Sequence, residues 1–168
     1  MTTAPDGRHL MDLNAWELVG LIHAGKVTPS QAVEAALQRI VERDGQINAF
    51  CYIDADGARS RAAQLTEAIK KDPAAARRLP LCGVPLGVKD LEDAAGMPTA
   101  HGSELWAKQA RVATEDSVQV GRLIRAGCIV VGKTNTPCLG YVAVTKSIPF
   151  GATANPHDTT RSAGGSSG

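Results

Sequence analysis

Leu81-Cys82-Gly83-Val84-Pro85-Leu86-Gly87-Val88-Lys89 is a short apolar run broken by Gly and Pro, the pattern of a strand whose backbone lies close to something. A long connection punctuated by Gly and Pro follows. From Asp116, the spacing of Val118, Leu123 and Ile124 predicts a helix that Gly127 ends. Cys128-Ile129-Val130-Val131 then reads as a buried strand. Strand, helix, strand is the order of a parallel crossover, so the expected class is α/β.

Upstream of this stretch the pattern is helical. Leu13, Trp16, Leu18, Leu21 and Ile22 recur mostly at helical spacing, predicting a helix over 10–24 closed by Gly25. Thr28, Pro29 and Gln31 form a start signal, with Thr28 as N-cap, Pro29 in the first helical position and Gln31 completing a capping box. Ala32, Val33, Ala36, Leu37 and Ile40 make the apolar stripe of this second helix. An Ala- and Arg-rich third helix is expected over 55–71, stopped before Pro73. Downstream of Pro137 the text turns loop-like and reaches Gly164-Gly165-Ser166-Ser167-Gly168.

The 168 residues suffice for a domain with a core. Hydrophobic residues at 43% and charged residues at 21% fit a globular chain, with a core of Ala, Val, Leu and Ile. A net charge of +1 and 4% aromatics give no basis for a nucleic-acid or anionic-membrane partner. Cys51, Cys82, Cys128 and Cys138 show no metal-ligand spacing, and His9, His23, His101 and His157 are scattered, so no metal is assigned. Cys82 and Cys128 sit in apolar runs, as small hydrophobes do. No apolar leader or stretch of about 18 apolar residues occurs, which makes the cytoplasm the expected location.

Gly127 to Thr134 matches the letters of a Walker A loop. That loop must be a flexible turn whose amides wrap phosphates, after a strand and before a helix. Cys-Ile-Val-Val in its middle forms a strand instead, so nucleotide binding is rejected. Lys89 is different. An isolated lysine is ordinarily a solvated surface residue. The flanking Pro-Leu-Gly-Val places this one at the end of a buried strand, where desolvation disfavours the charged amine and leaves a usable base. An isolated Gly-Gly-Ser-Ser-Gly would ordinarily be a linker.

Taken together, these motifs resemble the amidase-signature family. The resemblance starts at Val27-Thr28-Pro29-Ser30 and strengthens at Gly83 to Asp90. It continues through Asp116, Arg122 to Gly127, and Gly132-Lys133-Thr134-Asn135-Thr136-Pro137. It closes with Phe150-Gly151, Asn155-Pro156 and Gly164 to Gly168. It implies an amidase-signature fold, a mixed sheet with a parallel βαβ portion flanked by helices. The chain would be the N-terminal portion of one such domain, with a helical region at 1–75 and the start of the signature core at 79–168.

The family hydrolyses amides through a Ser–cis-Ser–Lys triad without a cofactor. By motif, Lys89 is the implied general base and Ser166 the bridging serine. Gly164, Gly165 and Ser167 are the loop that positions Ser166. Ser167 is the competing assignment, and the place directly after two glycines favours Ser166. The family's nucleophilic serine lies downstream in another Gly-rich segment, so these 168 residues are expected to be inactive alone. The implied partner is a small-molecule amide, and a homo-oligomer is compatible with the pattern. The alternatives are the amidotransferase component that acts on misacylated tRNA with a partner subunit, and a non-catalytic truncated remnant. The sequence departs from the family at Cys138 (commonly Glu), His157 (often Trp) and Ala163 (often Pro). Cys138 is expected as a partly buried thiol packed under a loop.

Overall fold

The computed structural model describes residues 3–109 and 111–167. In chain order the elements are α1 (Ala15–His23), α2 (Pro29–Ile47), β1 (Phe50–Ile53), α3 (Ala55–Lys71), α4 (Pro73–Arg77), β2 (Pro85–Lys89), α5 (Glu104–Gln109), α6 (Val118–Arg125) and β3 (Ile129–Thr134). Two short strand pairs follow, β4 (Lys146–Ser147) with β5 (Gly151–Ala152), and β6 (Ala154–Asn155) with β7 (Asp158–Ser162). Two compact units interleave along the chain. One comprises 1–40, 54–86 and 122–131, the other 41–53, 87–121 and 132–168.

The first unit is built on helix signals that the sequence carries openly. Thr28 N–H donates to Gln31 Oε1 (2.8 Å) and Gln31 N–H returns to Thr28 Oγ1 (3.2 Å), the reciprocal bonds of a capping box. The stretch expected as one helix over 10–24 is divided. A 3-10 turn covers Leu10–Asp12, and α1 begins only at Ala15. The cause is a second start signal, because extended Asn14 donates its N–H to Glu17 Oε2 (2.8 Å). Asp72 and Pro73 end α3 as expected and at once start α4, with Asp72 Oδ1 accepting from Ala74 N–H.

Ala4, Leu10, Leu18, Ile22, Val27, Ala32, Ala35, Ala76 and Cys82 form the buried core of this unit. Small residues dominate it, which lets the helices approach closely. Arg61 at once pairs with Asp54 (2.7 Å) and donates to Val130 O (2.9 Å), tying α3 to β3.

The three-stranded sheet has the order β1-β3-β2. β3 runs antiparallel to β1, with Tyr52 opposite Lys133 and Ile53 opposite Gly132. It runs parallel to β2: Ile129 N–H reaches Val84 O at the start and Asp90 N–H reaches Thr134 O at the end, both at 2.9 Å. The parallel pair joined through α6 is the expected crossover, and β1 makes the sheet mixed.

Three expectations are revised. Residues 81–84 are turns rather than strand, since Cys82 and Val84 donate back to Leu79 and Leu81. β1, only four residues long, was not expected. The region after Pro137 is not plain loop but carries the two strand pairs. Residues 129–133 are buried throughout, as a core strand requires. Saturable ATP binding is therefore not expected, and titration calorimetry should show no heat of binding that depends on Lys133.

Candidate active site

All the residues of the site belong to the second unit. β2 ends at Lys89, which is half-buried. Its Nζ donates to Ser166 Oγ at 2.6 Å, so residues 77 positions apart in sequence meet at one short contact. The peptide bond between Gly165 and Ser166 is cis. Thr136 Oγ1 donates to Ser166 O at 3.3 Å.

The loop bearing Ser166 is anchored by its backbone. Thr145 N–H donates to Gly164 O (2.6 Å), Ala163 N–H to Thr153 O (3.1 Å) and Thr153 N–H to Thr145 O (3.0 Å). Gly165 lies so close to this anchor that a Cβ would sit 2.6 Å from the Val144 nitrogen. A side chain at 165 would meet backbone, which cannot swing aside. That is a packing reason for one of the two glycines. Ser167 is exposed, and the Lys89 amine is turned to Ser166 instead.

Beside Lys89 lies a second group that sequence reasoning passed over. Asp90 is 1% exposed and Lys133 0%. Lys133 Nζ donates to Thr99 Oγ1 (2.8 Å), Pro98 O (3.1 Å) and Asp90 Oδ1 (3.4 Å). Burial pushes the Lys133 ammonium below its ordinary range, and the Asp90 carboxylate opposes that shift. Asp90 also accepts from Ala100 N–H (3.0 Å) and Gly102 N–H (3.2 Å). The available signal was a lysine inside an otherwise apolar strand, which must bring its own partner.

The thiols separate clearly. Cys138 is exposed, against the expectation of a partly buried thiol, because it lies on a 3-10 turn at Cys138–Gly140. Burial raises the Cys82 and Cys128 thiols and, with Asp90 nearby, pushes Cys51 up to about 12. A chromogenic disulfide at pH 8 should therefore label one thiol per native chain quickly, and Cys138→Ser should remove that fast phase. His157 is exposed, its N–H on Asn155 Oδ1 in the β6–β7 turn. Among the described residues no helix is long and apolar enough to cross a membrane.

The sequence and the fold of the chain are similar to those of known proteins. The family model Amidase covers residues 31–168, and the chain belongs to the amidase family. It is 42% identical over 144 residues to the amidase-named protein AmiB2 of Mycobacterium tuberculosis, covering 86% of this chain and 30% of that protein. It is 38% identical over 160 residues to the A-type subunit of the glutamyl-tRNA(Gln) amidotransferase of Acidothermus cellulolyticus, covering 95% and 30%. The crystal structure of a bacterial aryl acylamidase of the amidase-signature family superposes with a TM-score of 0.84 at 30% identity, over 92% of this chain and 31% of that one. The fold is thus that of amidase-signature enzymes, and the chain spans about 30% of the length of the relatives it matches.

Proposed function

We propose that the protein hydrolyses small carboxylic amides through an acyl-enzyme, with Lys89 as base and Ser166 as the bridging serine of a Ser–cis-Ser–Lys triad. The observation that carries this is the 2.6 Å contact between Lys89 Nζ and Ser166 Oγ at the end of a sheet strand. In this reading Lys89 takes the Ser166 hydroxyl proton as Ser166 takes that of a third, nucleophilic serine. The nucleophile's oxygen bonds to the amide carbonyl carbon. The proton returns through Ser166 to the departing amine, and water then hydrolyses the acyl ester.

The third serine and its oxyanion donors lie outside residues 1–168 in this reading. One oxyanion donor alone is typically worth about 10²–10³ in rate. Residues 1–168 alone should show no hydrolysis of a simple aryl amide, whereas the full-length gene product should turn it over. Robust turnover by residues 1–168, lost on Lys89→Ala or Ser166→Ala, would make Ser166, Ser167 or Cys138 the nucleophile and overturn the assignment. Four free thiols, two of them buried in apolar surroundings, suit a reducing compartment and hence the cytoplasm.

The 38% identity to an amidotransferase component supports a second reading, transfer of an amide nitrogen in complex with a partner subunit. Copurification of a partner, with amidation that depends on misacylated tRNA, would favour it over hydrolysis.

A further inference from the structure

We propose that Asp90 is a positioning residue for the Lys89–Ser166 pair, its backbone fixed beside Lys89 and its buried carboxylate holding the loop that packs against the residues anchoring Ser166. The inference rests on reading that pair as a proton relay. Toward Lys89 the link is covalent. Asp90 is the next residue, and its N–H is fixed on Thr134 O (2.9 Å), so the exit of β2 cannot rotate freely. Toward Ser166 the link runs through a loop. The Asp90 carboxylate takes the N–H groups of Ala100 and Gly102, and Lys133 pulls on the same loop through Thr99 Oγ1 and Pro98 O.

Gly102 seats this loop against the residues that hold Ser166. Its φ is +63°, and a Cβ there would stand 2.5 Å from Thr136 O and 2.8 Å from the Pro137 carbonyl. Leu139 N–H closes the same contact on His101 O at 2.8 Å. Thr136 in turn holds Ser166 through the 3.3 Å bond to its carbonyl. The path Asp90–Gly102–Thr136–Ser166 is therefore a continuous series of close contacts.

Stability alone does not explain the pair. A buried ion pair is often no more stabilising than apolar residues of the same volume. What an apolar pair cannot do is accept two amides and an ammonium at fixed angles. A carboxylate at 90 does so one residue from the base.

The test uses the full-length gene product in aryl amide hydrolysis. Asp90→Asn and Lys133→Met each leave a buried charge unmatched, whereas the double variant Asp90→Asn/Lys133→Met leaves none. The double variant should recover thermal stability but keep a kcat lowered about 10-fold or more, with KM near wild type, since small misplacement of reacting groups costs rate. Thr136→Val should likewise lower kcat several-fold without changing KM. A folded double variant with wild-type kcat, or Thr136→Val with unchanged kcat, overturns the inference alone. Full activity in Lys89→Ala and Ser166→Ala overturns the relay reading and the inference with it.

Discussion

Lys89→Ala in the full-length gene product is expected to lower kcat for an aryl amide by about 10²–10⁴, with Ser166→Ala falling in the same range. Lys89 Nζ is the hydrogen-bond partner of Ser166 Oγ among the described residues. Its removal leaves the bridging hydroxyl with nowhere to send a proton. The two losses should not add, because both residues serve one transfer, and the double variant should resemble either single one. Stability should change little, since Lys89 is half-buried at a strand end and forms no ion pair within 4 Å among the described residues. Lys89→Arg should not restore activity, because a guanidinium stays protonated at any working pH. The measurement is steady-state kinetics beside thermal unfolding. A loss of kcat that tracks a loss of fold would remove the base assignment.

How much of this was legible depended on whether the signal was local. The α2 start, the span of α3 and the crossover strand β3 were readable because capping boxes, Pro at N1 and apolar runs act within a few residues. Lys89 was readable for a similar reason, as the end of an apolar run, and the meeting with Ser166 followed from a family resemblance rather than from spacing. β1 was not readable. Four residues, Phe50-Cys51-Tyr52-Ile53, are too few to show a period, and they become a strand only by pairing with β3 some 80 positions on. Asp90 and Thr136 stood inside the quoted motifs without a role. Their partners, Gly102 and Ser166, are fixed by tertiary packing that no local pattern reports. The exposure of Cys138 was missed because the short turn at 138–140, closed by Gly140 N–H on Pro137 O and docked through Leu139 N–H on His101 O, carries no apolar period that reports which side faces out.

Asn135→Leu should strongly destabilise the surroundings of the site while leaving Lys89 and Ser166 in place. Asn135 is 1% exposed and fully used. Its Oδ1 accepts from Thr136 N–H (2.9 Å) and Ser147 Oγ (3.1 Å), and its Nδ2 donates to Gly151 O and Thr153 Oγ1, both at 3.2 Å. Thr153 passes the network on to Asn48 O (2.7 Å), and Asn48 Nδ2 donates to Phe150 O and Ala152 O. Leucine is close in volume, so no large cavity forms, and the cost is that of buried groups left without partners. Each such group costs about 1–3 kcal/mol, and Thr136 N–H and the Ser147 hydroxyl lose theirs outright, so about 3 kcal/mol or more is expected. For a chain of this size each kcal/mol moves Tm by about 2–4 °C, which makes a fall of roughly 6–12 °C. The same network carries Thr153, whose backbone holds Thr145 and Ala163 and through them the Ser166 loop. Amide exchange should therefore accelerate at Thr145, Thr153 and Ala163 under conditions where the α2 and α3 amides stay protected. Uniform acceleration across all of these would mean that Asn135 supports the whole fold rather than this loop.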